Sequence, residues 1–81
     1  MSNQDQTVIE SSIALLAADS DLQALVQKVE SDTKTTKGHY GKYLSLLVDI
    51  KDQNTRYILS QAFIKAGADA YGVNSAMKII G

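Results

Sequence analysis

Apolar positions along this chain recur at helical rather than alternating spacing, and no proline interrupts them. The whole chain therefore reads as α-helical. The clearest stretch is Leu22, Leu25, Val26 and Val29, which follow the i, i+3, i+4, i+7 rule and predict an amphipathic helix over residues 21–33. Ser20-Asp21-Leu22-Gln23 marks its start as a Ser-x-x-Gln capping box. Its end fades into Ser31-Asp32-Thr33-Lys34-Thr35-Thr36, whose hydroxyls compete for backbone hydrogen bonds. Upstream, Thr7-Val8-Ile9-Glu10 fits the same box and predicts a first helix over 7–18, leaving residues 1–6 as a tail. Ile9, Ile13, Leu16 and Ala17 share one face of that helix. Val8 and Leu15 widen the face, so burial on more than one side is expected.

A third helix over 40–51 carries Tyr40, Tyr43, Leu44, Leu47 and Val48 on one side, with Leu46 and Ile50 on another. The polar run from Lys51 to Arg56 breaks the pattern near Asp52 or Asn54, either of which can cap the next helix. An unbroken helix over 40–66 is the alternative. A fourth segment, 55–66, presents Ile58, Leu59, Ala62, Phe63 and Ala66, and Gly67 stands where a left-handed C-terminal cap belongs. Asp69 then caps a short last helix with Val73, Ala76, Met77 and Ile80 on its face. Gly72 weakens that helix by roughly 1 kcal/mol relative to alanine.

Together these elements predict an all-α fold, a compact bundle of four to five short helices forming one domain over 7–81. At 81 residues the chain has little core to spare, which argues against a large internal active-site cavity. Its formal net charge of −1 gives no global attraction to nucleic acid or anionic membrane. The total conceals an asymmetry: residues 1–32 hold six acids against one base, and residues 33–81 hold seven bases against three acids. No cysteine is present, so disulfides, thiolate metal sites and a cysteine nucleophile are excluded. The opening "MSNQDQTVIE" lacks the layout of a signal peptide, and no apolar run approaches the ~18–20 residues that span a bilayer. The expected location is cytoplasmic, with no membrane partner.

Candidate chemistry concentrates in Lys34-Thr35-Thr36-Lys37-Gly38-His39-Tyr40-Gly41-Lys42-Tyr43. The glycine spacing is wrong for a Walker phosphate loop, and Tyr43 stands where that motif needs Ser or Thr. Gly38-His39-Tyr40-Gly41 matches the Gly-x-x-Gly of KH domains, but the sheet that fold requires is not predicted. Lys34, Lys37 and Lys42, with His39 and Tyr40, remain a candidate contact for an anion, a nucleic acid or a partner. The simpler role of Tyr40 and Tyr43 is core packing, since they precede Leu44 and Leu47 on one helical face. His39 lacks a carboxylate or nucleophile at recognisable spacing and reads as a solvated loop histidine. Asp49 with Asp52, and Asp19 with Asp21, lack the further ligands a cation site needs and read as caps and solvated charge. Ser75 lacks a nucleophile-elbow spacing. A DNA-binding helix-turn-helix over 21–51 is disfavoured by its long connector and by the Leu-rich second helix.

No catalytic residue, metal site or cofactor is assigned. The expected function is a non-enzymatic protein–protein interaction or self-assembly module, since apolar residues lie on both faces of the first and third helices and in Ile79-Ile80. Ile79 and Ile80 are the candidate self-association residues. The alternative is a small regulator that binds nucleic acid or an anion through the basic loop 34–42.

Overall fold

The computed structural model of the chain describes residues 3–32 and 39–81. These form five helices and no strand: α1 (Asn3–Ala17), α2 (Ser20–Glu30), α3 (Tyr40–Leu47), α4 (Gln53–Lys65) and α5 (Ala70–Ile80). The fold is a small all-α bundle, as the periodicity predicts.

Helix α1 begins at Asn3, so residues 3–6 belong to the helix rather than to a tail, and Thr7 lies inside it rather than at its cap. Nothing in Asn3–Gln6 stops a helix. The Gln6 amide adds an i, i+4 hydrogen bond to Glu10 Oε2 at 3.2 Å. Helix α2 is capped by Asp19 rather than Ser20: one Asp19 oxygen accepts the N–H groups of Asp21 at 2.8 Å and Leu22 at 3.1 Å. A carboxylate brings full negative charge to the positive end of the helix dipole, which a serine hydroxyl cannot match. Gln23, freed from the box, donates through Nε2 to the Ala17 carbonyl at 2.9 Å and ties α2 to the end of α1. At its other end α2 stops at Glu30, where the Ser31 hydroxyl donates to the carbonyls of Gln27 and Lys28.

The expected break after the third helix is present, and an unbroken helix over 40–66 does not form. Helix α3 ends at Leu47, and Asp52 caps α4 by accepting the N–H of Thr55 at 2.8 Å and its hydroxyl at 2.7 Å. These two bonds hold the Asp52 carboxyl below the usual aspartate value. Arg56 reaches back to the linker, where Nε and Nη2 both donate to the Ile50 carbonyl at 3.0 and 2.6 Å. Helix α4 ends in the predicted left-handed cap. Gly67 has φ 116°, its N–H donates to the Ile64 carbonyl at 3.0 Å, and the Ala68 N–H donates to the Phe63 carbonyl at 2.9 Å. Both bonds of a Schellman motif are made. Asp69 then caps α5 by accepting the Gly72 N–H at 2.9 Å.

The core is built from Val26 and Val29 of α2, Tyr43 and Leu47 of α3, Phe63 of α4, Ala68, and Val73 and Ala76 of α5. The Tyr43 and Phe63 rings meet in a tilted pair, their centroids 5.5 Å apart. No α1 residue joins this cluster. Helix α1 lies across α4, α4 packs on α5, and α5 packs on α3. The expected two-sided burial of α1 fails within one copy: Ala17 is buried, but Val8 is 62% exposed and Leu15 75%. Ile9 and Ile13 are half-buried, Ile13 beside Ile64 of α4, whereas Val8 and Leu15 stay largely uncovered by the described residues.

Candidate interaction site

Helix α5 carries two stripes. Val73, Ala76, Met77 and Ile80 turn toward the core, whereas Tyr71, Ser75, Lys78 and Ile79 recur at i, i+4, i+7 and i+8 along its flank. The second stripe meets Tyr40, the first residue of α3, around an open hollow of about 320 Å³. Tyr71 is 64% exposed, Ile79 58%, and Tyr40 is exposed as well. Among the described residues, three large, partly apolar side chains thus surround one hollow with a single ammonium group, Lys78, on its wall. Isolated exposed apolar residues need no account, but a convergent set is the usual mark of an interaction surface.

Beneath this surface α3 is fixed by a half-buried carboxylate. Glu30, in register with Leu22 and Val26 on α2, accepts a hydrogen bond from the Tyr43 hydroxyl through Oε2. The same oxygen accepts the backbone N–H of Asp69 at 3.0 Å. In a capping box a glutamate at the third helical position reaches back to the cap residue's N–H. In α5 that position is Gly72, and Glu30 serves the role from another helix. Its charge also faces the positive end of the α5 dipole. Burial and then the bond to Glu30 push the Tyr43 hydroxyl well above the usual tyrosine value, so it stays neutral.

His39 is not the solvated loop histidine expected. It sits in the left-handed region, at φ 61°, as the residue before α3, with its side chain 17% exposed. Nε2 lies 3.1 Å from the Asp32 carbonyl, and because a carbonyl only accepts, Nε2 is the donor. Nδ1 then lies 3.7 Å from Glu30 Oε1 and makes no hydrogen bond to any described residue. The carboxylate missing from the sequence reading is Glu30, nine positions upstream. Its interactions join the end of α2 to α3 and to the start of α5.

The sequence-predicted set divides. Tyr40 and Ile79, assigned to separate roles, line one hollow. Ile80 packs partly against the core. Tyr43 is fully buried, whereas Tyr40 is a surface residue rather than core. Lys42 lies on the opposite side of α3, its Nζ 3.8 Å from Asp32 Oδ2, in a groove of about 400 Å³ shared with Leu25, Lys28, Val29, Ser45 and Leu46. Lys34 and Lys37 lie outside the described residues. Asp19 and Asp52 act as helix caps, and no group of three or more metal-ligating side chains forms among the described residues. Tyr71 and Lys78 escape the sequence reading, and Ser75 is weighed there only as a nucleophile, although their spacing on α5 places all three on one flank. Glu30 escapes as well, and its signal was a charged residue in register with an apolar stripe.

The chain matches no family model, no curated protein and no solved structure.

Proposed function

We propose that this chain is a non-enzymatic protein-interaction module that associates with itself. The observation that carries the reading is the convergence of Tyr40, Tyr71 and Ile79, all exposed, on one hollow. Burying apolar surface stabilises by about 25 cal/mol per Å², and tyrosine is among the residues enriched at the energetic centres of interfaces. An 81-residue chain that leaves such side chains in water, with a central core cluster that no α1 residue joins, has more to gain from association than from further internal packing. Cytoplasmic action agrees with this reading. No helix among the described residues is long and apolar enough to cross a membrane.

Sedimentation equilibrium tests it. The weight-average mass rises with concentration, and Tyr71→Glu returns it toward the 8.8 kDa of one chain. A folded protein that stays strictly monomeric at high micromolar concentration overturns the reading.

The second reading, a regulator binding an anion or nucleic acid, is favoured by Lys28 and Lys42 on the wall of the α2–α3 groove. Asp32, in the same groove and close to Lys42, counts against it. Fluorescence anisotropy at low salt, with single- and double-stranded probes, decides it: affinity falls steeply with added salt if the reading holds, and no binding removes it.

A further inference from the structure

Both ring nitrogens of His39 face oxygens that only accept. Nε2 lies 3.1 Å from the Asp32 carbonyl, and Nδ1 lies 3.7 Å from Glu30 Oε1. A neutral imidazole carries one N–H and one lone pair, so either tautomer serves one of these oxygens and turns a lone pair toward the other. Only the imidazolium, with two N–H groups, suits both. Nδ1 is closed off from solvent and has no hydrogen-bond partner among the described residues, so nothing relieves a bare lone pair there.

The backbone points the same way. Among the described residues His39 is the only one besides glycine with a positive φ, and α3 has no side-chain cap in front of it. A non-glycine residue in the left-handed region is strained and persists where its surroundings hold it. The two ring contacts are what tie this one to the end of α2. The charged and titratable groups around the ring, among the described residues, are Glu30 and Asp32 at the end of α2, Lys42 and Tyr43 of α3, and Asp69 at the head of α5. Lys42 stands 3.8 Å from Asp32 Oδ2, Asp69 caps α5 and Tyr43 donates to Glu30. The charge facing the ring is that of Glu30, whose Oε1 lies toward the imidazole while Oε2 takes both Tyr43 and the Asp69 N–H.

We propose that this junction is a proton-operated latch: a proton taken up at Nδ1 of His39 joins the ring to Glu30 Oε1, while Nε2–H keeps the Asp32 carbonyl, and fastens the start of α3 to the end of α2. Loss of that proton sets a lone pair against a carboxylate oxygen, and the latch opens. Tyr40 is the next residue and stands on the hollow, so the latch governs how firmly one wall of the candidate interaction site is held. Histidine is the side chain whose charge ordinarily changes between about pH 5 and 8, so the device works near neutrality. The latch lies within one chain and operates whether or not copies associate.

The test compares the native chain with His39→Asn, which keeps a residue tolerant of the left-handed region and removes the titrating ring. Urea denaturation at one low protein concentration gives the folding equilibrium constant of each. A proton bound by the folded junction adds stability that is complete on the acid side and is lost as pH rises. The ratio of native to variant constants should therefore fall by about threefold or more between about pH 5.5 and about pH 8. If His39→Asn does not fold, Glu30→Gln replaces it, since its amide can donate to a bare Nδ1, and the same fall in the ratio is expected. Nitrogen NMR of the native imidazole should show protons on both ring nitrogens at the acid end and on Nε2 alone at the other. A ratio that stays level or rises with pH, or a ring that gives up the Nε2 proton before that of Nδ1, overturns the latch.

Discussion

Helices α1 and α5 are similar in kind and opposite in outcome. Each is rich in apolar residues, each packs on α4, and each leaves large side chains in solvent. Helix α5 nevertheless places Val73 and Ala76 at zero exposure in the core, is capped by its own Asp69, and has that cap residue held by Glu30. Helix α1 contributes only Ala17 to the buried set and no residue to the central cluster. The difference lies in arrangement rather than in hydrophobicity. The inward residues of α5 form one stripe that packs on α3 and α4, whereas the apolar residues of α1 are spread too widely for one neighbour to cover. A helix of the second kind is attached to the bundle without being used up by it.

That contrast breaks most readily at the core end. Phe63→Ala should cost about 3–5 kcal/mol, enough to unfold much of the population, by removing a ring packed against Tyr43. Leu15→Ala on α1 should stay within about 0.5 kcal/mol. Urea denaturation of the two variants, at one low protein concentration, checks both. Equal losses would mean that α1 belongs to the core after all.

Tyr43→Phe should cost roughly 1–3 kcal/mol by leaving the Glu30 carboxylate with one fewer donor in a half-buried place. It also carries a pH signature. The folded chain holds the Tyr43 proton above the usual tyrosine value of about 10, at which the unfolded chain releases it. Below that pH the contribution to stability is complete. As pH rises beyond it, only the unfolded state loses the proton, so stability falls. Native protein should therefore lose stability above pH ~10 more steeply than Tyr43→Phe, as read by thermal melts across that range. Parallel curves would show that the hydroxyl is not held as described.

The smallest effect sharpens the comparison at the cap. Asp69→Ala should cost about 1 kcal/mol by freeing the Gly72 N–H. The loss should appear as fraying at the start of α5, seen in amide chemical shifts, with α1 unaffected. Fraying of α1 to the same degree would tie the two helices more closely than their packing implies.

Much of this architecture was legible because it is local. Asp52, Gly67 and Asp69 are each recognised by a bond to a residue within three or four positions, and the sequence states those neighbours directly. The start of α1 was misread because a capping box at Thr7 does not prevent helix upstream of it. At Asp19-Ser20 two adjacent residues could cap, and only charge separates them. What periodicity could not show were the contacts across long separations: Glu30 with Tyr43, thirteen residues apart, and Glu30 with the Asp69 amide, thirty-nine apart. The hollow was half legible. Tyr40 and Ile79 were each singled out for their chemistry, but their proximity depends on how α3 and α5 pack.

The bond from Asp69 to Glu30 gives the molecule an internal clock. Its hydrogen belongs to the backbone and can exchange with solvent deuterium only when its bond to the Glu30 carboxylate opens. That amide should exchange more slowly in the native chain than in Glu30→Gln, while amides at the start of α1 exchange through local fraying in both, so one labelling experiment would separate the loosening of this junction from that of the attached helix.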